Sequence, residues 1–153
     1  MKRCELKSIS QNLFSRYGCV IEHTEDHPED FQIIAIQAES GWRLAVFRVR
    51  NSTADCVERH PASMESFEPL SGAAVLIVAQ EKIPDEFEAF LLDRPVCLYQ
   101  GVWHQILSIP EFSDVKITEN LEIGTEFHRL EDRLTVSAGP SALSTCGTEK
   151  KEE

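Results

Sequence analysis

Ala73-Ala74-Val75-Leu76-Ile77-Val78-Ala79 is apolar at every position and follows the turn pair Ser71-Gly72. A short apolar run of this kind, opened by a turn, reads as a β-strand covered on both faces. On either side of it the chain repeats the same grammar. Val20-Ile21, Phe31 to Ile36, Trp42 to Val49, Phe87 to Leu92, Val96 to Tyr99, Val102 to Leu107, Val115 to Thr118 and Arg133 to Val136 are short runs rich in β-branched or aromatic residues. Turn signals separate them at Asp26-His27-Pro28, Ser40-Gly41, Asn51-Ser52, Asp93-Arg94-Pro95 and Gln100-Gly101. In Trp42 to Val49 the residues alternate, Trp42, Leu44 and Val46 on one side and Arg43, Ala45 and Phe47 on the other, so the two faces differ. Parallel α/β folds need helical crossovers of a dozen residues or more between strands, and none is present. The fold class is therefore all-β, a sandwich or barrel. One short helix is expected near the start, with Ser10 as N-cap, Gln11 to Arg16 as its turns and Gly18 as a left-handed exit.

The 153 residues suit one domain, expected over residues 1–136, followed by a polar tail, 137–153, whose composition predicts disorder. With 42% hydrophobic residues, a chain of this size buries roughly 70% of its unfolded surface. Folding then requires neither disulfides nor a structural metal, and any metal is functional. Acidic residues outnumber basic ones 26 to 15, a net charge of -11, and no Lys/Arg cluster occurs, which argues against a nucleic-acid partner. The longest apolar run is far below the about 20 residues of a membrane span, so no membrane partner and a cytoplasmic location are expected. Five scattered cysteines without a CxxC pair suit free thiols in a reducing compartment.

The chemistry concentrates between Val57 and Gly72. If the chain from Cys56 to His60 is extended, Glu58 and His60 share one face and Arg59 takes the other. Pro61 and Ser63 mark a turn, after which Glu65 opens a second strand returning beside His60. A fourth group can come from Gly101-Val102-Trp103-His104, where a glycine turn feeds a strand bearing one imidazole. Two imidazoles and one or two carboxylates suit a borderline divalent ion such as Mn, Fe, Ni or Zn. The residues alone leave a second reading open, in which Glu58, Arg59, Glu65 and Glu68 form a solvated hairpin edge and the histidines are ordinary. His23, His27 and His128 lie among acids in loop-like sequence and are expected to be exposed.

Glu58-Arg59-His60-Pro61, then Phe67-x-Pro69-Leu70-x-Gly72, then Gly101-Val102-Trp103-His104 resemble the ureidoglycolate lyase family of the cupin superfamily. The opening Ser10-Gln11-x-x-Phe14-Ser15-x-Tyr17-Gly18-x-Val20-Ile21-Glu22 is similar to the start of that family. The resemblance implies a jelly-roll barrel, the double-stranded β-helix of cupins, with a short N-terminal helix. Laid on the cupin pattern, Glu58 takes the first His position, His60 the second, Glu65 the Glu, Gly72 the Gly and His104 the last His. The implied metal positions are thus Glu58, His60, Glu65 and His104. Two positions depart from the family: Glu65 stands where members commonly carry Gln, and Ile106 where they carry Pro.

The same resemblance implies an enzyme that eliminates urea from (S)-ureidoglycolate to leave glyoxylate. A divalent ion would act as Lewis acid on the substrate oxygens, and Glu65 or Glu58, whichever is less tightly ligated, would be the catalytic base. Arg48 or Arg50 is the candidate to pair with the substrate carboxylate. A homodimer is expected, both from the resemblance and from the amount of strand edge. Two other classes stay open: a different metal-dependent cupin enzyme, isomerase or dioxygenase, acting on a small polar acid or sugar derivative, and a non-catalytic small-molecule-binding module.

Overall fold

In the computed structural model of this chain, which describes residues 2–21 and 41–138, eleven strands and one short helix form two sheets. Strands β1 (Lys2–Ser8), β11 (Glu126–Ala138), β4 (Ala54–Arg59), β9 (Trp103–Ser108), β6 (Ala74–Ala79) and β7 (Glu88–Leu91) close a barrel in that order. Strands β2 (Gly18–Val20), β8 (Val96–Leu98), β5 (Glu65–Ser71), β10 (Ser113–Asn120) and β3 (Trp42–Val49) make a second sheet in that order. The all-β expectation is borne out.

β6 shows why the two sheets stay together. None of its residues is more than 3% exposed, as its unbroken apolar sequence requires. Its alternate side chains enter different cores. Ala74, Leu76 and Val78 pack between the sheets with Phe14, Phe67, Phe90, Leu98 and Val115, while Val75 and Ile77 pack inside the barrel with Ala54, Ala89, Leu107 and Leu134. Each fully buried Leu, Ile or Phe contributes on the order of 1.5–3 kcal/mol.

The amino-terminal reading needs correction. A strand, β1, opens the described chain, running parallel to β11 and β7. Its alternation of charged residues with Cys4 and Leu6 gives it one barrel-facing side, but the charges hide the pattern in sequence. Helix α1 covers only Gln11–Phe14, with the Ser10 hydroxyl accepting from the Leu13 amide at 3.3 Å. Gly18 is no helix exit. It lies in β2 against β8, where a Cβ would sit 2.0 Å from the Cys97 carbonyl oxygen. The carboxyl-terminal strand is also longer than expected: β11 begins at Glu126, shifts register against β4 between Arg129 and Leu134, and continues past Val136 to Ala138. His128 on β11 is half-buried, paired with Asp85 at 3.0 Å and set against Trp103, so the expectation of an exposed loop histidine is corrected.

β3 is the edge of its sheet, and every residue from Trp42 to Arg48 is exposed. Its alternation survives as direction: Arg43, Ala45 and Phe47 pair in register with Glu119, Ile117 and Val115 of β10. The expected strand from Phe31 to Ile36, His23, His27 and the tail from residue 139 onward lie outside the described residues.

Candidate metal centre

Two strands of the barrel and one of the second sheet deliver the site. β4 ends at Arg59, and Glu58 is paired in register with His104 of β9. His60 follows the strand end, Pro61 and Ala62 make the turn, and β5 starts at Glu65. Gly101, at φ +77, turns the chain into β9 and donates its amide to the His60 carbonyl at 3.0 Å. A residue with a Cβ is strained in that left-handed region, so the glycine fixes His104 relative to His60. Arg59 points away as its alternation predicts, to Glu126 and Glu81 and over the Trp103 ring.

The four ligand candidates converge. Glu65 Oε2 lies 3.0 Å from His104 Nε2 and 3.2 Å from His60 Nε2, and Glu58 Oε1 lies 4.0 Å from His104 Nε2. His60, Glu65 and His104 are buried, whereas the Glu58 side chain is 35% exposed. The rings of His60 and His104 stand 5.2 Å apart, and Phe67 closes the apolar side of His104 at 5.6 Å.

Tautomers decide what these distances mean. His104 Nδ1 is 3.0 Å from the Val102 carbonyl, which can only accept, so Nδ1 carries a proton. In the neutral ring Nε2 then offers a lone pair, and it faces a carboxylate oxygen that also offers one. The 3.0 Å contact is a hydrogen bond only when the ring holds a second proton. With the rings neutral, His104 Nε2, Glu65 Oε2 and the Oε2 of a further residue, Glu119, are therefore buried without a hydrogen-bond partner. His60 Nδ1 is similarly engaged, at 3.4 Å from the Gly124 carbonyl and 3.2 Å from the Thr125 hydroxyl. Unpaired buried acceptors each cost about 1–3 kcal/mol, and a cation placed among them would offset that cost. The residues present therefore fit a divalent ion with mixed nitrogen and oxygen ligands.

The electrostatics agree. Burial favours the neutral acid of Glu65, but His104 and His60 outweigh it and hold the carboxyl at about 2. Burial likewise opposes charge on both imidazoles, and Glu65 outweighs it, so both are raised above the ordinary histidine value. Protons and a metal compete for the same nitrogen lone pairs. Because the raised values extend protonation to higher pH, Mn(II) affinity is expected to fall as the pH drops through the imidazole range, by about tenfold per pH unit for each displaced proton. Titration calorimetry in two buffers of different ionisation enthalpy checks this. Equal heats in both, at pH 6 and at pH 8, would contradict it.

Neither expected substrate contact, Arg48 or Arg50, is at the site. Arg48 projects from the opposite face of β3, where Asp114 grips it at 2.7 and 2.8 Å and it stacks 4.4 Å above Phe112. Arg50 stands over the same ring at 5.4 Å. The arginine that does reach the site row is Arg43, two strands from Glu65.

The model of the ureidoglycolate lyase family matches residues 1–120. The chain belongs to the ureidoglycolate lyase family. No curated protein matches the sequence. Among solved structures it is similar to a cupin 2 domain-containing protein from Halorhodospira halophila, at 18% identity over 62% of each chain and a TM-score of 0.44. It is similar also to the S161A mutant of Bacillus subtilis oxalate decarboxylase, at 14% identity over 60% of this chain and 24% of that one, with a TM-score of 0.42. A dTDP sugar isomerase from Desulfovibrio desulfuricans G20 shares 12% identity over 85% of this chain and 88% of the other, at 0.44. The chain spans less than two thirds of the length of the first two. Likenesses this distant carry no argument about activity. Among the described residues no helix is long and apolar enough to cross a membrane, and Cys19, Cys56 and Cys97 are free thiols.

Proposed function

We propose that this lyase-family member cleaves (S)-ureidoglycolate to glyoxylate and urea at a divalent metal held by His60, His104 and Glu65, with Glu58 beside it. The observation that carries the reading is the meeting of unpartnered imidazole and carboxylate atoms at the positions that match the family pattern. When bound, the ion supplies Lewis acidity to the substrate hydroxyl and carboxylate oxygens. Glu65, buried and held between two imidazoles, is the ligand. Glu58, the more exposed carboxylate and 4.0 Å from His104 Nε2, is the base. It takes the hydroxyl proton as the carbon to nitrogen bond breaks. The hydroxyl oxygen becomes the aldehyde of glyoxylate, the bonding pair leaves with the ureido nitrogen, and the Glu58 acid returns its proton there to give urea. No water is consumed.

The test is urea release from ureidoglycolate with glyoxylate appearing at the same rate. Glu58→Gln, which keeps shape and loses basicity, is expected to lower kcat by about 10²-fold or more with little change in metal content. Arg48→Ala, with its side chain on the far face of β3, is expected to leave kcat/KM within about twofold. A tenfold loss in that variant would return the arginine to the site.

One observation favours a second reading, a different metal-dependent cupin reaction on a small polar acid or sugar derivative: Glu65 stands where the lyases commonly carry Gln. Stoichiometric metal with no urea release would select it, and no metal in any preparation would select a binding module. The homodimer is part of the same proposal, and a sedimentation mass of one chain would remove it.

A further inference from the structure

Glu119 lies outside the ligand set that the family pattern implies, yet it is built into the same row. β10 sits between β5 and β3, and Glu119 is paired in register with Glu65 on one side and Arg43 on the other. Two carboxylates directly opposite on neighbouring strands repel each other. Here both are buried, which makes the arrangement costly unless positive charge lies between them. Arg43 meets only part of that need. Its Nε and Nη2 both donate to Glu119 Oε1, at 2.8 and 2.6 Å. The other oxygen, Oε2, is buried without a partner and faces His60 Nε2 at 3.9 Å.

The backbone around Glu119 is pinned as well. The Asn120 amide donates to the Ser63 hydroxyl at 3.0 Å, and the Asn120 side chain donates to the Ala62 carbonyl at 3.2 Å. These bonds tie the end of β10 to the turn that carries the chain from His60 to Glu65. Glu119 and the two ligands at either end of that turn are thereby held as one unit.

Resting on the metal reading above, we propose that Glu119 is a further protein ligand of the cation, through Oε2, and that Arg43 is its positioning residue. The distances suit one ion. Ligand atoms about 2.1 Å from a metal stand about 3.0 Å apart when adjacent and about 4.2 Å when opposite in octahedral geometry. His60 Nε2 lies 3.2 Å from Glu65 Oε2 and 3.9 Å from Glu119 Oε2, and one ligand atom from each of the three residues falls within 4.8 Å of the others. Charge also closes. Glu58, Glu65 and Glu119 are balanced by a divalent ion together with the Arg43 guanidinium, so Arg43 is what allows a third carboxylate to approach. With water or substrate oxygens completing the shell, the two carboxylates Glu65 and Glu119 and the two imidazoles form a harder, higher-coordinate set than the four-coordinate tetrahedral sites of zinc, and select Mn(II) over Zn(II).

Binding of Mn(II) and of Zn(II) to the full chain, by equilibrium dialysis, tests this independently of turnover. Glu119→Gln is expected to weaken Mn(II) by about 10- to 100-fold and Zn(II) by less than about threefold. Arg43→Gln is expected to weaken Mn(II) by about tenfold, and to add nothing in the Glu119→Gln background, because an arginine that acts through Glu119 has no target once Glu119 is neutral. Should Glu119→Gln fail to fold, Glu119→Asp, which keeps the charge and shortens the reach, serves the same comparison. Unchanged Mn(II) affinity in folded Glu119 variants, with binding still lost in His104→Ala, overturns the role of Glu119 and leaves the metal reading standing. Additive losses in the double variant overturn the role of Arg43. A wild-type protein that binds neither ion overturns both the inference and the reading on which it rests.

Discussion

Replacing His104 with Ala is expected to lower Mn(II) affinity by at least about 100-fold and to lower turnover of ureidoglycolate by about 10³-fold or more, while the protein stays folded. The ring contributes the nitrogen that faces Glu65 Oε2, and its orientation is fixed from the other side by the Val102 carbonyl, so no neighbour can replace it. Stability suffers less than function. Loss of the ring forfeits its contact with Phe67, but it also removes a lone pair set against a buried carboxylate. Dialysis against Mn(II), steady-state kinetics and urea unfolding on the same preparation separate the effects. His128→Ala is the control, since that ring pairs with Asp85 away from the site, and should change neither binding nor turnover. Stoichiometric tight metal in His104→Ala would refute the ligand assignment.

Gly18→Ala should be the most destabilising small substitution on the sheet side of the molecule, at about 3 kcal/mol or more. The added methyl would stand 2.0 Å from the Cys97 carbonyl oxygen and 2.8 Å from its carbon, and both are backbone atoms that cannot rotate aside. β2 would have to part from β8, which borders β5, the strand that carries Glu65. For a domain of this size the loss corresponds to about 6–12 °C in Tm. Gly124→Ala, where a methyl meets nothing within 4 Å, is expected to stay within about 0.5 kcal/mol. A Gly18→Ala protein as stable as wild type would mean that β2 is not packed against β8 as described.

Gly18 also shows what one sequence can and cannot disclose. A glycine after a short amphipathic turn looks like a helix exit, because local propensity is all that neighbouring residues report. The actual reason is a strand some eighty positions away, and long-range approach leaves no local trace. β6 is the opposite case: an unbroken apolar run needs cover on both faces wherever it sits, so its place between two cores was legible. The convergence of Glu58, His60, Glu65 and His104 was legible for a mixed reason. Alternation put Glu58 and His60 on one face, the glycine turn before His104 made that imidazole a possible fourth group, and the family pattern fixed it as one.

Glu119 and Arg43 were missed although a signal existed. In Val115-Lys116-Ile117-Thr118-Glu119 the apolar residues alternate, and Glu119 occupies the next inward position, where a charge is out of place unless it has work to do. Arg43 stands likewise in line with Ala45 and Phe47. Arg48, by contrast, drew notice only as an arginine near the right place, and the parity of its strand turns it to the other face.

Anomalous diffraction from crystals loaded with Mn(II) is the most direct measurement of the central claim. One peak per chain is expected, within about 2.0–2.3 Å of the Nε2 atoms of His60 and His104 and of Glu65 Oε2. A loaded crystal in which those two nitrogens still contact only Glu65, with the anomalous signal elsewhere or nowhere, would contradict the account.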